Sequence, residues 1–326
     1  MNYIFTFIGE FGYELLNWQG TIRKWSKNKK PGDKIVICSR KGLDLIYGDV
    51  CDHFIEISDL QSFKSVVADC YTSYTYIDGT GPHLPRNEWK VERTGKHISK
   101  IKHEVSHLVD STLDLEGETE WIWSCDYVVM NGYYFGLERP GGRGGIYNVG
   151  QNQLDLYNNE FVKLKYDESK RKIVEEKLGF SLDEDYMLCQ TGYRKGYNLS
   201  KVRINHDKII SELLKSSKVV LMDFKTNRLN DSYSTFKDNN RYSVVNVSDM
   251  KEQSVLIHYA NNCIFFTEGH LRSHTYLPPM FGKDVDVIAS KEIFALPEAP
   301  LGFWNENVFK FGGQMRALPY EDITYD

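Results

Sequence analysis

The chain has 326 residues, with 40 Lys and Arg against 45 Asp and Glu, and a formal net charge of -5. This length is enough for two domains or one large one, with a core that needs no disulfide or metal. The apolar runs are far shorter than the roughly 20 residues that cross a bilayer, and no segment resembles a secretory signal. The negative charge argues against bulk nucleic-acid binding but allows a local basic patch.

The cysteines predict a reducing compartment. They form no CxxC pair and match no zinc spacing. Three of them, Cys38, Cys189 and Cys263, lie within apolar runs, where a thiol acts as a small hydrophobe. We therefore expect a cytoplasmic protein, of a bacterium or of a virus-infected host cell, with no disulfide framework.

The first segment predicts a βαβ unit. Apolar runs at 3–8 and 34–39 have the length and composition of buried strands. Between them, a glycine turn precedes a helix whose apolar residues recur on one face. These are Leu15, Trp18, Ile22 and Trp25. Further along, we expect strands at 53–58 and 127–132, and a helix through Ile98–Val109.

The second half alternates more regularly. Helices are predicted at 167–180, 205–215 and 249–261, another helix starts within 270–282, and strands are predicted at 186–192, 218–224, 242–247, 262–268 and 284–290. This alternation is typical of a doubly wound parallel sheet. The predicted fold class is α/β, with two facing Rossmann-like domains. We expect one domain over 1–166, a second domain over 167–290, and an irregular acidic tail over 291–326 that could pack back on the first domain.

The first candidate site is the segment GEFGYELLNWQG at 9–20, directly after the first strand. Gly9 and Gly12 would let a ligand approach the backbone, and the following helix N-terminus favours anions. Glu10 and Glu14 are candidate catalytic carboxylates, since a carboxylate there can take a proton from a hydroxyl nucleophile. The alternatives are that Glu10 caps the helix and that Glu14 pairs with a surface cation.

The second candidate site is the basic segment TGYRKGYN at 191–198, continued to Arg203. It follows the first strand of the second half, where ligands of doubly wound sheets bind. Arg194, Lys195 and Arg203 suit a diphosphate, which needs charge-assisted donors. A solvated basic loop is the alternative.

The third candidate site is TEGHLRSHTYLPP at 267–279, which joins an apolar strand to a helix. Glu268 at the strand end suits hydrogen bonds from ribose or sugar hydroxyls, and Gly269 permits close backbone approach. The remaining candidates lie where a helix N-terminus favours phosphate. They are His270, Arg272, Ser273 and His274. Buried histidines and a capping serine are the alternative.

Three weaker signals are also present. RPGGRGG at 139–145 is a loop that could form a lid or an anion site, and the basic stretch 86–107 could touch a phosphate backbone but is better explained as a solvated helix face. Asp284 and Asp286 resemble an acidic metal motif, but they lie in a predicted buried strand, so we expect no metal there.

Together these three segments resemble the GT-B fold glycosyltransferases. At the level of motifs the resemblance is specific at 9–20, 35–57 and 267–279. It implies a nucleotide-sugar donor bound mainly by the second half and an acceptor bound mainly by the first. It also implies that basic side chains and helix N-termini stabilise the leaving diphosphate, so that no metal cofactor is required.

The resemblance leaves the acceptor open. A glycan or other hydroxyl acceptor is the main hypothesis. Modified DNA, as for phage DNA glucosyltransferases, is an alternative that the net charge of -5 disfavours. A nucleotide-sugar epimerase and a non-catalytic nucleotide- or sugar-binding module remain further alternatives.

Overall fold

The structure of the chain is a computed structural model. It describes residues 1–7, 11, 14–62, 91–124, 127–128, 133–134, 137–138, 152–153, 160–191, 204–223, 235–247, 249–268, 273–295 and 301–323. The chain divides into two compact units, Met1–Phe161 and Val162–Asp326. Within the described ranges, every helix is too short or too polar to span a membrane.

The first unit is built on a four-stranded parallel sheet with the order β3-β2-β1-β4. Its strands are β1 (Asn2–Thr6), β2 (Lys34–Ser39), β3 (His53–Glu56) and β4 (Thr119–Trp123). A π-helix over Glu14–Trp18 runs into α1 (Gln19–Ser26); α2 (Asp44–Tyr47) and α3 (Val91–Thr112) follow. The predicted βαβ unit is confirmed, since β1 and β2 pair in parallel from Asn2 with Lys34 to Thr6 with Cys38.

Helices cover both faces of this sheet because its strands are apolar on both sides. On one face, Ile4 and Val36 pack with Ile101, Val105 and Val109 of α3, and all five side chains are buried. On the other face, the Phe5 ring lies 6.2 Å from Trp18 and 5.2 Å from Trp25 between centroids. The predicted helical stripes therefore face the sheet.

One strand of this sheet was not predicted from the sequence. The fourth strand of the sheet is β4, and its residues pair with β1 from Asn2–Thr119 to Thr6–Trp123. The described residues of the predicted strand at 127–132 form the two-residue β5 (Tyr127–Val128), which pairs with β8 (Asn152–Gln153); residues 129–132 lie outside the described residues. β4 was missed because its first two side chains are exposed at the sheet's edge, so it lacks the apolar run of a central strand. A further small pair joins β6 (Tyr133–Tyr134) to β7 (Leu137–Glu138).

The second unit is built on a six-stranded parallel sheet with the order β11-β10-β9-β12-β13-β14. Its strands are β9 (Tyr186–Thr191), β10 (Lys218–Asp223), β11 (Tyr242–Asn246), β12 (Asn262–Phe266), β13 (Val285–Ala289) and β14 (Met315–Pro319). The helices are α4 (Arg171–Leu178), α5 (His206–Ser216), α6 (Met250–Tyr259), α7 (Leu277–Met280), α8 (Lys291–Phe294) and α9 (Leu301–Asn307). All five predicted strands of this half are confirmed.

Capping residues set the helix boundaries here. Asn205 accepts a hydrogen bond from the Lys208 N–H at the start of α5, and Asp249 accepts one from Lys251 N–H at the start of α6. The α4 helix ends at Gly179, which has a left-handed conformation with φ 74°. Helix α5 packs on one sheet face, and α6 packs on the other, where the Tyr186 hydroxyl donates to the Leu256 carbonyl over 2.6 Å.

The prediction of an irregular tail after residue 290 was wrong. The described residues 291–295 and 301–323 contain α8, α9, a 3-10 helix over Tyr320–Asp322, and β14. β14 extends the second sheet by pairing with β13 from Val285–Met315 to Ala289–Pro319. The sequence MRALP of β14 has little hydrophobic pattern because three of its five side chains are exposed at the edge of the sheet.

Candidate functional site

Both sheets have a topological switch point. The strand order reverses between β1 and β4 in the first unit and between β9 and β12 in the second. In open α/β sheets, ligands bind beyond the carboxyl ends of the strands at such a point. β1 ends at Thr6, shortly before the glycine-rich segment 9–20 in sequence. β9 ends at Thr191, where the basic segment begins, and β12 ends at Phe266, two residues before Glu268. Each candidate segment from the sequence thus begins at a switch point of its own unit.

Many of the predicted site residues lie outside the described residues, and their roles stay predictions. They are Gly9, Glu10, Gly12, Arg194, Lys195, Arg203, Gly269, His270 and Arg272. The backbone of Ser273 and His274 is described, and it opens a 3-10 helix over Ser273–Tyr276 that runs into α7. The helix predicted to start within 270–282 is therefore short in its described part.

Glu14, by contrast, is described in detail. Its side chain is fully buried at the start of the π-helix. The hydroxyls of Ser39 and Tyr47 donate to Oε1, the latter over 2.8 Å, and Nη1 of Arg40 donates to Oε2 over 3.1 Å. Both carboxylate oxygens thus accept hydrogen bonds, which is what a buried charge requires. Short π-helical segments occur frequently at functional sites.

Burial dominates the electrostatics of this carboxyl group. It raises the pKa of Glu14, while the Arg40 charge and the hydrogen bonds from Ser39 and Tyr47 act in the opposite direction. The pKa of the Tyr47 hydroxyl is raised well above its usual value by burial and by the Glu14 charge. The Tyr47 hydroxyl is thus kept in its protonated form, in which it donates a hydrogen bond to the carboxylate.

A second buried group fixes the helices around Glu14. Arg23 of α1 is 3% exposed, and its Nε and Nη2 donate to the two oxygens of Asp49 over 2.9 and 2.7 Å. The same guanidinium donates to the carbonyl of Ile46, in the helix that carries Tyr47. Such a bidentate pair holds α1 and α2 in one geometry.

Ser39, Arg40 and Tyr47 were missed in the reading of the sequence. Ser39 is the last residue of β2 and Arg40 follows it, so both lie at the carboxyl edge beside β1. The signal in the sequence that points to Ser39 and Arg40 is their place at the end of a predicted strand, but two polar residues alone are a weak signal. Tyr47 is 33 positions from Glu14, and only the tertiary fold brings the two together.

Glu268 lies two residues beyond β12 and is partly buried. Its Oε1 accepts a hydrogen bond from the backbone N–H of Ile204 over 2.9 Å. Ile204 directly follows the basic segment that ends at Arg203. The carboxylate therefore ties the end of one candidate segment to the start of another at the second switch point.

His206 belongs to the same neighbourhood and was also missed. Its ring lies 5.3 Å from that of Phe266, the last residue of β12. Burial lowers the pKa of His206, while the charges of Glu268 and Asp207 oppose the shift. The imidazole is therefore held toward its neutral form close to the candidate donor site.

The acidic pair at the start of β13, Asp284 just before the strand and Asp286 within it, has a structural explanation. Asp286 accepts hydrogen bonds from Asn262 of β12 over 2.6 Å and from Arg316 of β14 over 2.7 Å, and Asp284 accepts from the Gln314 N–H. These contacts tie three strands together. In the described part of the chain, no cluster of His, Cys, Asp and Glu could hold a metal ion.

The four described cysteines are free thiols. Cys38, Cys189 and Cys263 are buried, and Cys51 is partly buried. Burial raises the pKa of Cys38 to about 12 and also raises that of Cys263 to about 12. Since the thiolate is the reactive form, these thiols are suited to packing and not to nucleophilic chemistry.

Two solved structures are similar to the chain over nearly its whole length. The first is E. coli ADP-heptose lps heptosyltransferase II. The alignment with it covers 98% of this chain and 90% of the heptosyltransferase chain, with 10% sequence identity and a TM-score of 0.52. The second is the family 9 glycosyl transferase from Veillonella parvula. The alignment with it covers 97% of this chain and 86% of the Veillonella chain, with 10% identity and a TM-score of 0.53. No protein-family model matches the sequence, and no curated protein matches it significantly.

At 10% identity the likeness concerns the path of the backbone. It agrees with the two parallel sheets, each flanked by helices, and with the resemblance that the motifs carry. The chain has the GT-B glycosyltransferase-like fold, built from two Rossmann-like α/β units.

Proposed function

We propose that this protein is a glycosyltransferase that transfers a sugar from a nucleotide-sugar donor to a hydroxyl acceptor. One observation carries the proposal: in a chain with this fold, the charged and glycine-rich segments begin at the switch points of the two sheets. Ligands bind at that position in doubly wound sheets. The names of both similar structures also describe sugar-transferring enzymes, and one of the names includes ADP-heptose.

On the donor side, the second unit would bind the nucleotide diphosphate. Arg194, Lys195 and Arg203 follow β9, and Arg272 and the backbone N–H groups at the start of the 273–276 helix follow β12. Cations and oriented N–H groups stabilise the negative charge that develops on a departing diphosphate. Since these groups supply the positive charge, we propose that transfer needs no metal, and EDTA is expected to leave activity intact.

On the acceptor side, the first unit would bind the hydroxyl substrate. Glu10 in the glycine turn is the proposed general base, because a carboxylate within reach of the acceptor hydroxyl can take its proton as the new bond forms. Glu14 is unsuited to that role, since it is fully buried and holds contacts with Ser39, Arg40 and Tyr47. Glu14 would instead act indirectly, by positioning Ser39, Arg40 and Tyr47.

The donor assignment is tested by binding. A thermal-shift panel with ADP, UDP, GDP, CMP and their sugar conjugates should identify a ligand that raises the melting temperature of the wild type. Arg194→Ala and Arg272→Ala should each weaken its binding by about 1–3 kcal/mol, as loss of a charge-assisted contact does. Lys215→Ala is the matched control, since Lys215 lies at the end of α5 just before β10 and so near the opposite edge of the sheet. Unchanged affinity in both arginine variants would refute the phosphate assignment.

The chemical step is tested separately. Glu10→Gln should lower turnover strongly while leaving the donor affinity nearly unchanged. A variant as active as the wild type would remove Glu10 from the mechanism. Donor binding without transfer to any hydroxyl acceptor would instead support a non-catalytic binding module. Binding to duplex DNA that falls steeply with salt would point to modified DNA as the acceptor.

A further inference from the structure

In the ion pair between Glu14 and Arg40, the two charges differ in their exposure to solvent. Glu14 is fully buried, whereas the side chain of Arg40 is 22% exposed. The pair is neutral overall, but its positive end lies toward the surface and its negative end lies in the core. An anion approaching from solvent therefore meets the guanidinium and not the carboxylate.

Arg40 is held from a second side by an aromatic ring. The carbon at the centre of its guanidinium lies 5.7 Å from the centroid of Phe7, the residue that follows β1. A cation within about 6 Å of a ring face is attracted to it. With the carboxylate on one side and the ring on another, the guanidinium is oriented before any ligand arrives.

The loop that carries Arg40 is also tied down. The Lys41 N–H donates to the Ser58 hydroxyl over 2.8 Å, and the Gly42 N–H donates to the exposed Glu56 carboxylate over 3.2 Å. These bonds attach the loop after β2 to the end of β3. Arg40 therefore has a defined position at the carboxyl edge of the sheet, next to the end of β1.

Stability alone does not account for this arrangement. Burying a carboxylate is unfavourable, and apolar residues of similar volume often serve a core equally well or better. A buried carboxylate whose partner reaches the ligand-binding edge is better explained by what the partner does. A guanidinium is a planar fork of N–H donors that matches a carboxylate or phosphate, so it can bind a protein carboxylate and an external anion together.

We propose that Arg40 binds an anionic group, a carboxylate or a phosphate, of the acceptor, and that Glu14 is the positioning residue that orients it. This inference rests on the proposed function, because it takes the first unit as the acceptor side. It adds a substrate class: the acceptor is an acidic or phosphorylated hydroxyl compound.

The test compares sugars that differ in charge. Binding of glucose, glucuronate and glucose 6-phosphate to the full-length chain is measured by NMR titration. The wild type should prefer at least one anionic sugar over glucose by about tenfold or more, as expected for a charge-assisted bidentate contact. The carboxylate and phosphate probes distinguish the two kinds of anion. Arg40→Ala should abolish the preference, and Arg40→Lys should retain part of it.

Two further variants separate position from charge. Lys34→Ala removes an exposed cation at the opposite end of the same strand and should keep the full preference. Glu14→Asp keeps the negative charge but shortens the side chain by one methylene group, so it should reduce the preference several-fold without weakening glucose binding. A wild type with no preference, or an Arg40→Ala variant that keeps it, would overturn the proposal. Nucleotide binding by the second unit is measured separately, in the thermal-shift panel. A failure of the Arg40 proposal is therefore distinguishable from a failure of the proposed function.

Discussion

The carboxylate of Glu268 and the backbone N–H of Ile204 are joined by a hydrogen bond of 2.9 Å between Oε1 and the amide nitrogen. The two residues are 64 positions apart, and each adjoins a segment that we propose to bind the donor diphosphate. Because Ile204 follows Arg203 directly, this bond fixes the position of the chain at the end of the basic segment. Glu268 is then an anchor for that segment, in addition to its proposed contact with hydroxyls of the donor.

This relationship predicts how two substitutions at position 268 should differ. Glu268→Ala leaves the Ile204 N–H without its acceptor and should weaken binding of the nucleotide by about tenfold or more, since a hydrogen bond to a charged group contributes about 1.5–3 kcal/mol. Glu268→Gln keeps an oxygen acceptor of similar reach and should stay within about threefold of the wild type. Isothermal titration calorimetry measures both affinities. Equal losses in the two variants would mean that the negative charge itself binds the donor.

His206 predicts a loss of stability in mild acid. Its folded-state pKa lies below the usual 6.5 because of burial, against the opposing charges of Glu268 and Asp207. Between the two pKa values the unfolded chain binds more protons than the folded one, so stability is present above 6.5 and falls as the pH drops through the folded value. The melting temperature should therefore decline over this window, and His206→Gln should decline less.

A histidine of the first unit provides the control for this measurement. His107 is exposed on α3, so His107→Gln should keep the wild-type dependence on pH. If His206→Gln loses stability in acid as steeply as the wild type, another group is responsible. Repeating the melting-temperature measurements over the same pH range with nucleotide bound should show whether protonation of His206 affects the donor site.

The elements that could be predicted from sequence are those whose own pattern is strong. The strands around the first helix, and α5 with its Asn205 cap, follow from apolar runs and local capping chemistry. β4 and β14 could not be found in this way, because edge strands expose many side chains and their pairing partners are distant in sequence. The positions of β4 and β14 are determined by their pairing with β1 and β13 in the folded sheets.

The same distinction holds for the candidate site. The segments after β1, β9 and β12 were predictable because glycine or clustered charge follows an apolar strand. The surroundings of Glu14 were not, since Tyr47 reaches it only through the packing of α2, which the buried Arg23 holds in place. A single polar pair such as Ser39 and Arg40 is also a weak signal until the strand order puts β2 beside β1.

Glu14 predicts a second pH effect, of opposite sign to that of His206. Burial raises its folded-state pKa above the usual 4.5, although Arg40, Ser39 and Tyr47 oppose the shift. The folded chain then binds a proton more readily than the unfolded one, so this contribution to stability is full below 4.5 and is lost as the pH rises through the folded value. Glu14→Gln cannot titrate, and its stability relative to the wild type should rise over that window.

Urea unfolding at a series of pH values measures this difference. The comparison uses Glu120→Gln as the control, because Glu120 is an exposed carboxylate on β4 of the same unit. A constant difference between Glu14→Gln and the wild type at every pH would contradict a raised pKa at Glu14. It would leave the hydrogen bonds from Ser39 and Tyr47 as the main consequence of that side chain.

Gly179 predicts a stability effect that is independent of the site. It ends α4 with φ 74° and ψ 14°, and its N–H donates to the Glu175 carbonyl over 2.8 Å. An added Cβ would meet no atom within 4 Å, so the penalty of Gly179→Ala comes from the left-handed backbone alone, about 1–2 kcal/mol.

Gly302 offers a matched control, since it is exposed within α9, also has open space around it and lacks a positive φ. Gly302→Ala should leave the free energy of unfolding unchanged or raise it by up to about 1 kcal/mol, because alanine favours helices. Urea unfolding of both variants tests the pair, and equal stabilities would show that the α4 terminus adopts another conformation.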